Sequence, residues 1–207
     1  MLVLFCYTLN MAILLPSEYD ASYFDGRFQA TRHNAGYGEY KRWERDGSEY
    51  WKDKAADWVN NLALSGKKVL DIGCAKGFLV KDLRDAGVDA WGIDVSSYAI
   101  SEAEEGISPY LQVADARLLS TLGYTRNEFD ILITSRFLEC LTNAEIVAFN
   151  TASSFIAKKQ VHLITPTGKI NSDFYNTKTA QEWRDSFSWP KGTVIAPYND
   201  EDNFLTK

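Results

Sequence analysis

Residues 71–77 read Asp-Ile-Gly-Cys-Ala-Lys-Gly and follow the apolar pair Val69-Leu70. This is a buried strand running into a glycine loop. Gly73 permits a tight turn, and Gly77 lets a helix begin close to a ligand with no Cβ in the way. Loops of this kind often hold phosphates, and the spacing tests that directly. A G-x-G-x-x-G loop counted from Gly73 needs glycine at 75 and 78, where Ala75 and Phe78 stand. A Walker loop needs Gly-Lys-Ser/Thr, and Gly77 is followed by Phe78. Both patterns fail. Asp71 argues the same way, because a carboxylate beside the loop repels pyrophosphate and attracts a cation. Two more acidic residues close the next apolar runs, Asp94 after Gly92-Ile93 and Asp115 after Val113-Ala114.

These residues need strand ends to hold them, and the surrounding pattern supplies the strands. Apolar runs at 69–72, 90–95, 110–114, 129–134 and 161–164 read as strands, with a short last one at 193–196. Helical spacing falls between them at 78–85, 98–105, 142–158 and 177–187. Ser96 or Ser97 suits the N-cap of the second helix, and Thr142 with Glu145 forms a capping box for the third. Strand–helix alternation predicts an α/β fold: a single doubly wound, mainly parallel sheet with helices on both faces. In such a sheet ligands bind outside the carboxyl ends of the strands. Before it, residues 49–64 read as an amphipathic helix and 17–50 as an aromatic, irregular arm. The expected division is an apolar extension over 1–16, an arm and helix over 17–64, and a core over 65–207.

The run Val69-Leu70-Asp71-Ile72-Gly73-Cys74-Ala75-Lys76-Gly77 resembles the first motif of the class I S-adenosylmethionine-dependent methyltransferases. Ala75 replaces the frequent middle glycine. The resemblance spans about residues 65–165 and implies a role for each strand end. It implies a cofactor site of Asp71, Gly73, Cys74, Ala75, Gly77, Asp94, Val95, Asp115, Ala116 and Ser135. Asp94 would accept from both ribose hydroxyls and Asp115 from the adenine amino group. Phe129 to Thr134 is similar to the fourth motif, with Ser135 to Cys140 beside the sulfonium. Many relatives carry histidine where Cys140 stands, so no general base follows; His33 and Glu139 are the candidates. The family sheet ends in an antiparallel hairpin, and only one strand is legible here, so the hairpin is expected to be shortened or the edge completed by a second copy. Local roles stay open: Asp71 and Asp94 also suit helix caps, and Asp115 a turn.

Composition narrows the partners. The 207 residues carry a formal charge of −6, with 45% hydrophobic and 24% charged residues, which suits an acidic globular enzyme more than a phosphate-neutralising nucleic-acid binder. The motifs of amino-methylating and cytosine-methylating DNA enzymes are absent, so a small molecule, glycan or protein is the expected acceptor. Cys6, Cys74 and Cys140 form no disulfide or zinc spacing, and no metal is expected. Residues 1–15 are mostly apolar but lack a basic leader region, and Thr8 and Asn10 interrupt them; neither a secretory signal nor a membrane span is expected, and the location is read as cytoplasmic. Met11 suits a start codon, which would make residues 1–10 an upstream extension. Tyr37, Tyr40 and Trp43 are candidates for a lid, Phe174, Tyr175 and Trp183 for the acceptor pocket, and His162 for a core residue. A catalytically silent cofactor-binding scaffold and a nicotinamide-dependent oxidoreductase are the competing readings.

Overall fold

A computed structural model describes residues 16–25, 50–164, 176 and 178–197. Six strands form one sheet: β1 (Lys68–Ile72), β2 (Asp89–Asp94), β3 (Leu111–Val113), β4 (Phe129–Ser135), β5 (Ala157–Ile164) and β6 (Val194–Pro197). Their order is β3-β2-β1-β4-β5-β6, and every pairing is parallel. The order reverses between β1 and β4, which makes the crevice above those two strands the topological switch point. Buried parallel strands require helices on both faces, since neither face can meet water. One face is covered by α2 (Tyr50–Asn61) and α3 (Phe78–Asp85), which close a core around Trp58, Leu79, Leu83, Ile131 and Ile133. The other is covered by α5 (Asn143–Ile156) and α6 (Ala180–Ser186), over Leu70, Leu132, Phe149 and Trp183. A short α1 (Ala21–Asp25) packs against α4 (Ser97–Ser101).

Local chemistry explains where the helices begin. Ser96 accepts from the N–H of Ala99 and caps α4. The capping box foreseen at Thr142 forms, with Glu145 reaching back to the Thr142 N–H at 2.8 Å. Thr179 and Glu182 form a second one on α6.

Several boundaries differ from the periodic pattern, among them the ends of α4 and α5. α4 stops at Ser101, short of the expected 105. α5 ends at Ile156, and Ala157 turns at once into β5 with no loop. The apparent helical tail was read from residues that β4 claims instead, because Phe129 pairs with Ala157 and Ile131 with Lys159. The final strand does not provide the antiparallel ending of the family sheet: β6 lies parallel to β5, with Val161 opposite Val194. No antiparallel strand occurs among the described residues.

Two glycines set the clearance around the first loop. A Cβ on Gly92 would stand 2.7 Å from Cys74 Sγ, and one on Gly77 would stand 2.6 Å from Leu111 Cδ1. The Cys74 thiol thus fills the space that Gly92 leaves, locking the loop onto β2. Gly92→Ala is expected to lower stability by about 1–3 kcal/mol through overpacking, seen as a lower urea midpoint at unchanged m-value.

Candidate functional site

The carboxyl ends of β1, β2 and β4 surround a cleft of about 800 Å³, part of it open to solvent. Its walls include Gly73 and Ala75 from the first loop, Asp94 and Val95 after β2, Asp115 and Ala116 after β3, and Ser135 at the end of β4. Asp71, Cys74 and Gly77 are buried below the cleft and do not line it.

Asp94 organises the site. One carboxylate oxygen accepts from the Ala75 N–H and the other from the Ser96 N–H, each at 2.8 Å. One side chain thereby joins the glycine loop to the turn that starts α4. Burial pushes its proton affinity up, and the backbone N–H groups of Ser96, Ala75 and Val95 offset part of that rise. Asp71, only 5% exposed, has no such compensation. Burial first, and the nearby Asp94 charge second, raise its pKa to about 7. The same surroundings push the Cys74 thiol far up, so it stays protonated. Two carboxylates thus share one poorly solvated place.

Asp115 behaves differently. Its carboxylate caps the turn Ala116–Thr121 by accepting from the Arg117 N–H at 2.9 Å. The Arg117 guanidinium also grips it, with Nη2 donating to Oδ2 at 2.6 Å and Nε to Oδ1 at 2.9 Å. Burial alone would raise the Asp115 pKa, but the hydrogen bonds and charge of Arg117 win and hold it below the usual carboxylate range. Arg117 also lies 3.8 Å from Glu145 of α5. The local turn role left open for Asp115 is present, and the residue lines the cleft as well.

The arm contributes walls that the motif search did not single out. Tyr19, Tyr23 and Phe24 line the cleft. They stack edge-on in sequence, with centroids 4.9 and 5.0 Å apart, and pack on Ala75 and Ala99. The Ser96 hydroxyl donates to the Tyr19 carbonyl, so the helix cap also anchors the arm. The aromatic spacing at 19, 23 and 24 was the available signal. The lid residues proposed instead, Tyr37, Tyr40 and Trp43, lie outside the described residues, as do His33, Phe174 and Tyr175.

Other candidates move away from the cleft. Glu139 is 1% exposed and is absent from the walls, which pass from Phe137 to Cys140. The turn Leu138–Cys140 that carries it is pinned by the Asn176 N–H donating to its carbonyl at 2.9 Å. Trp183 is fully buried in the second core. His162 is a core residue, bonded to Thr134 at 2.9 Å and Gln160 at 3.0 Å. Burial lowers its pKa to about 3, so it remains neutral.

Residues 63–196 match the family model described as a methyltransferase domain. The chain belongs to the methyltransferase-domain family. Among curated relatives of this methyltransferase domain is the ubiquinone biosynthesis O-methyltransferase of Aromatoleum aromaticum, 36% identical over 125 residues, covering 58% of this chain and 48% of that protein. The protein of the same name from Ralstonia nicotianae is 26% identical, covering 70% of this chain and 67% of that one. The chain spans about half the length of the first of these relatives. Among solved structures, a SAM-dependent methyltransferase from Archaeoglobus fulgidus aligns with TM-score 0.54 and 18% identity, covering 68% of this chain and 67% of that one. A structure described as "Conversion of a Disulfide Bond into a Thioacetal Group during Echinomycin Biosynthesis" aligns with TM-score 0.58 and 21% identity, covering 84% of this chain and 77% of that one. These likenesses establish the class I methyltransferase fold.

A raised pKa in the folded state makes Asp71 a pH-dependent liability of this methyltransferase domain. The carboxyl costs nothing below about pH 4, where both folded and unfolded chains are protonated. Its cost grows as pH rises from about 4 to about 7, where the unfolded chain ionises and the folded one does not, and is fully present above that. Asp71→Asn is therefore expected to stabilise the fold by about 2–4 kcal/mol at pH 8 and to change it little at pH 4, as read from urea unfolding at both pH values.

Proposed function

We propose that the chain is an S-adenosylmethionine-dependent methyltransferase acting in the cytoplasm on a small-molecule, glycan or protein acceptor. The observation that carries this reading is the pair of buried carboxylates, Asp71 and Asp94, at the switch point of a methyltransferase-family sheet. Raised proton affinity at both marks a place that lacks positive charge, and a cationic ligand supplies it. The fit extends to shape: Gly73 faces the cleft at φ 78°, where a Cβ would crowd Phe137 at 3.3 Å.

When bound, S-adenosylmethionine supplies an electrophilic methyl carbon on a sulfonium. Asp94 would accept from ribose hydroxyls, and its two backbone donors, Ala75 and Ser96, hold the carboxylate in place for that. Asp115 stays ionised and acceptor-only, which suits an amino group on the base. The aromatic arm excludes water from the other side of the cleft. Ser135, Phe137 and Cys140 line the end beyond β4 and border the space left for an acceptor. Aligning two reactants there needs no strong base.

Calorimetry with S-adenosylmethionine, S-adenosylhomocysteine and NAD tests the reading. The first two bind and NAD does not; the reverse would return the chain to the oxidoreductase class. Asp94→Ala is expected to weaken the methyl donor by about 1–3 kcal/mol, roughly 5- to 150-fold in Kd. Transfer of labelled methyl groups to a panel of metabolites, glycans and proteins separates an enzyme from a silent scaffold.

A further inference from the structure

Asp115 and Arg117 both line the cleft, at the turn that follows β3. That turn brings the Arg117 N–H onto the Asp115 carboxylate, where it donates to Oδ1 at 2.9 Å. The guanidinium folds back onto the same group. Its Nε lies 2.9 Å from Oδ1 and 3.0 Å from Oδ2, and Nη2 donates to Oδ2 at 2.6 Å. A carboxylate offers about four lone-pair sites. The N–H, Nε and Nη2 donors of Arg117 fill all but one, and the one left is on Oδ2. The fork is itself held from behind, since Nη1 stands 3.8 Å from Glu145 Oε1. Glu145 is fixed in turn by the capping box of α5, where Oε2 accepts from the Thr142 N–H and hydroxyl, each at 2.8 Å. A continuous series of contacts thus runs from the start of α5 to the Asp115 carboxylate.

A carboxylate held this way has a fixed plane, a fixed charge and room for one more donor. An exocyclic amino group supplies that donor. A carbonyl in the same place sets an acceptor against an acceptor-only group, and the hydrogen bond lost inside the cleft is costly. Purines differ in this respect. Adenine carries an amino group at C6 and a bare N1, whereas hypoxanthine carries an oxo group at C6 and a hydrogen on N1. A carboxylate free to turn could leave the oxo group and take the N1 hydrogen instead. One gripped in its plane by a rigid, planar fork cannot make that move.

We propose that Arg117 is the positioning residue that sets base selectivity in this cleft, holding Asp115 so that it takes a 6-aminopurine nucleoside and turns away the 6-oxo analogue. The assignment rests on the methyl-donor reading above. Arg117 acts through Asp115, so its removal leaves the carboxylate in the wall and frees it to rotate. Loss of the fork therefore weakens the amino ligand and strengthens the oxo ligand. General damage to the wall weakens both.

The test is calorimetry on the full chain with S-adenosylhomocysteine and S-inosylhomocysteine as probes. The wild-type chain is expected to bind the adenine compound at least about tenfold more tightly. Arg117→Gln is expected to bring the two within about twofold, with the inosine compound gaining affinity. Arg117→Lys, which keeps a cation in the wall but offers no planar fork, should do the same. A wild-type ratio near one overturns the proposal. So does a preference that either variant retains, or one that collapses with no gain for the inosine compound. Failure of S-adenosylhomocysteine to bind at all would defeat the methyl-donor reading instead. Adenosine titrated against inosine then decides the role of Arg117: a preference for adenosine that both variants lose upholds it, and equal binding to the wild-type chain overturns it.

Discussion

Asp94 and Asp71 sit under one glycine loop, and most of the site's organisation can be traced to that crowding. The Asp94 carboxylate bridges Ala75 and Ser96, so the loop after β1 and the turn after β2 cannot move independently. Ser96 then caps α4 through one hydroxyl contact and anchors the arm at Tyr19 through another. A single chain of hydrogen bonds thus runs from the loop to the aromatic wall. Asp71 takes no part in that chain. It adds negative potential from below, at a price in proton affinity that burial makes steep.

The parallel sheet explains why these groups meet. Every strand of the order β3-β2-β1-β4-β5-β6 points its carboxyl end to the same side, so acidic residues at the ends of β1, β2 and β3 are brought together although 44 positions separate Asp71 from Asp115. Close packing does the rest. Cys74 fills the space beside Gly92, and Leu111 the space beside Gly77, so the loop is held by van der Waals contact as much as by hydrogen bonds.

Much of this was legible in the sequence because its signals are local. Apolar runs such as Val69–Ile72 and Phe129–Thr134 marked strands, the strand-end rule put the first loop at the site, and the family resemblance added Asp94, Asp115 and Ser135. What sequence could not show depends on contacts between distant segments. Tyr19, Tyr23 and Phe24 carry no motif, and their position follows from packing on Ala75 and Ala99. The depth of Asp71 and Glu139 is set by helices on both sides of the sheet, which residue type alone does not reveal. The α5–β5 junction was misplaced because Ala157 to Lys159 pair with β4, and that pairing overrides a local helical preference. The left-handed turn at Arg136, with φ 52°, leaves no compositional trace, since glycine is the usual marker for it.

The central claim is that a buried acidic pair favours a sulfonium over a neutral sulfide. It is tested most directly by measuring Kd for S-adenosylmethionine and S-adenosylhomocysteine side by side across pH 5.5–8.5 (roughly, the range over which a carboxyl of pKa about 7 titrates). The account predicts that preference for the cation rises with pH up to about 7 and levels off above it, and that the rise disappears in Asp71→Asn. A preference that stays constant across that range in the wild-type chain would contradict it.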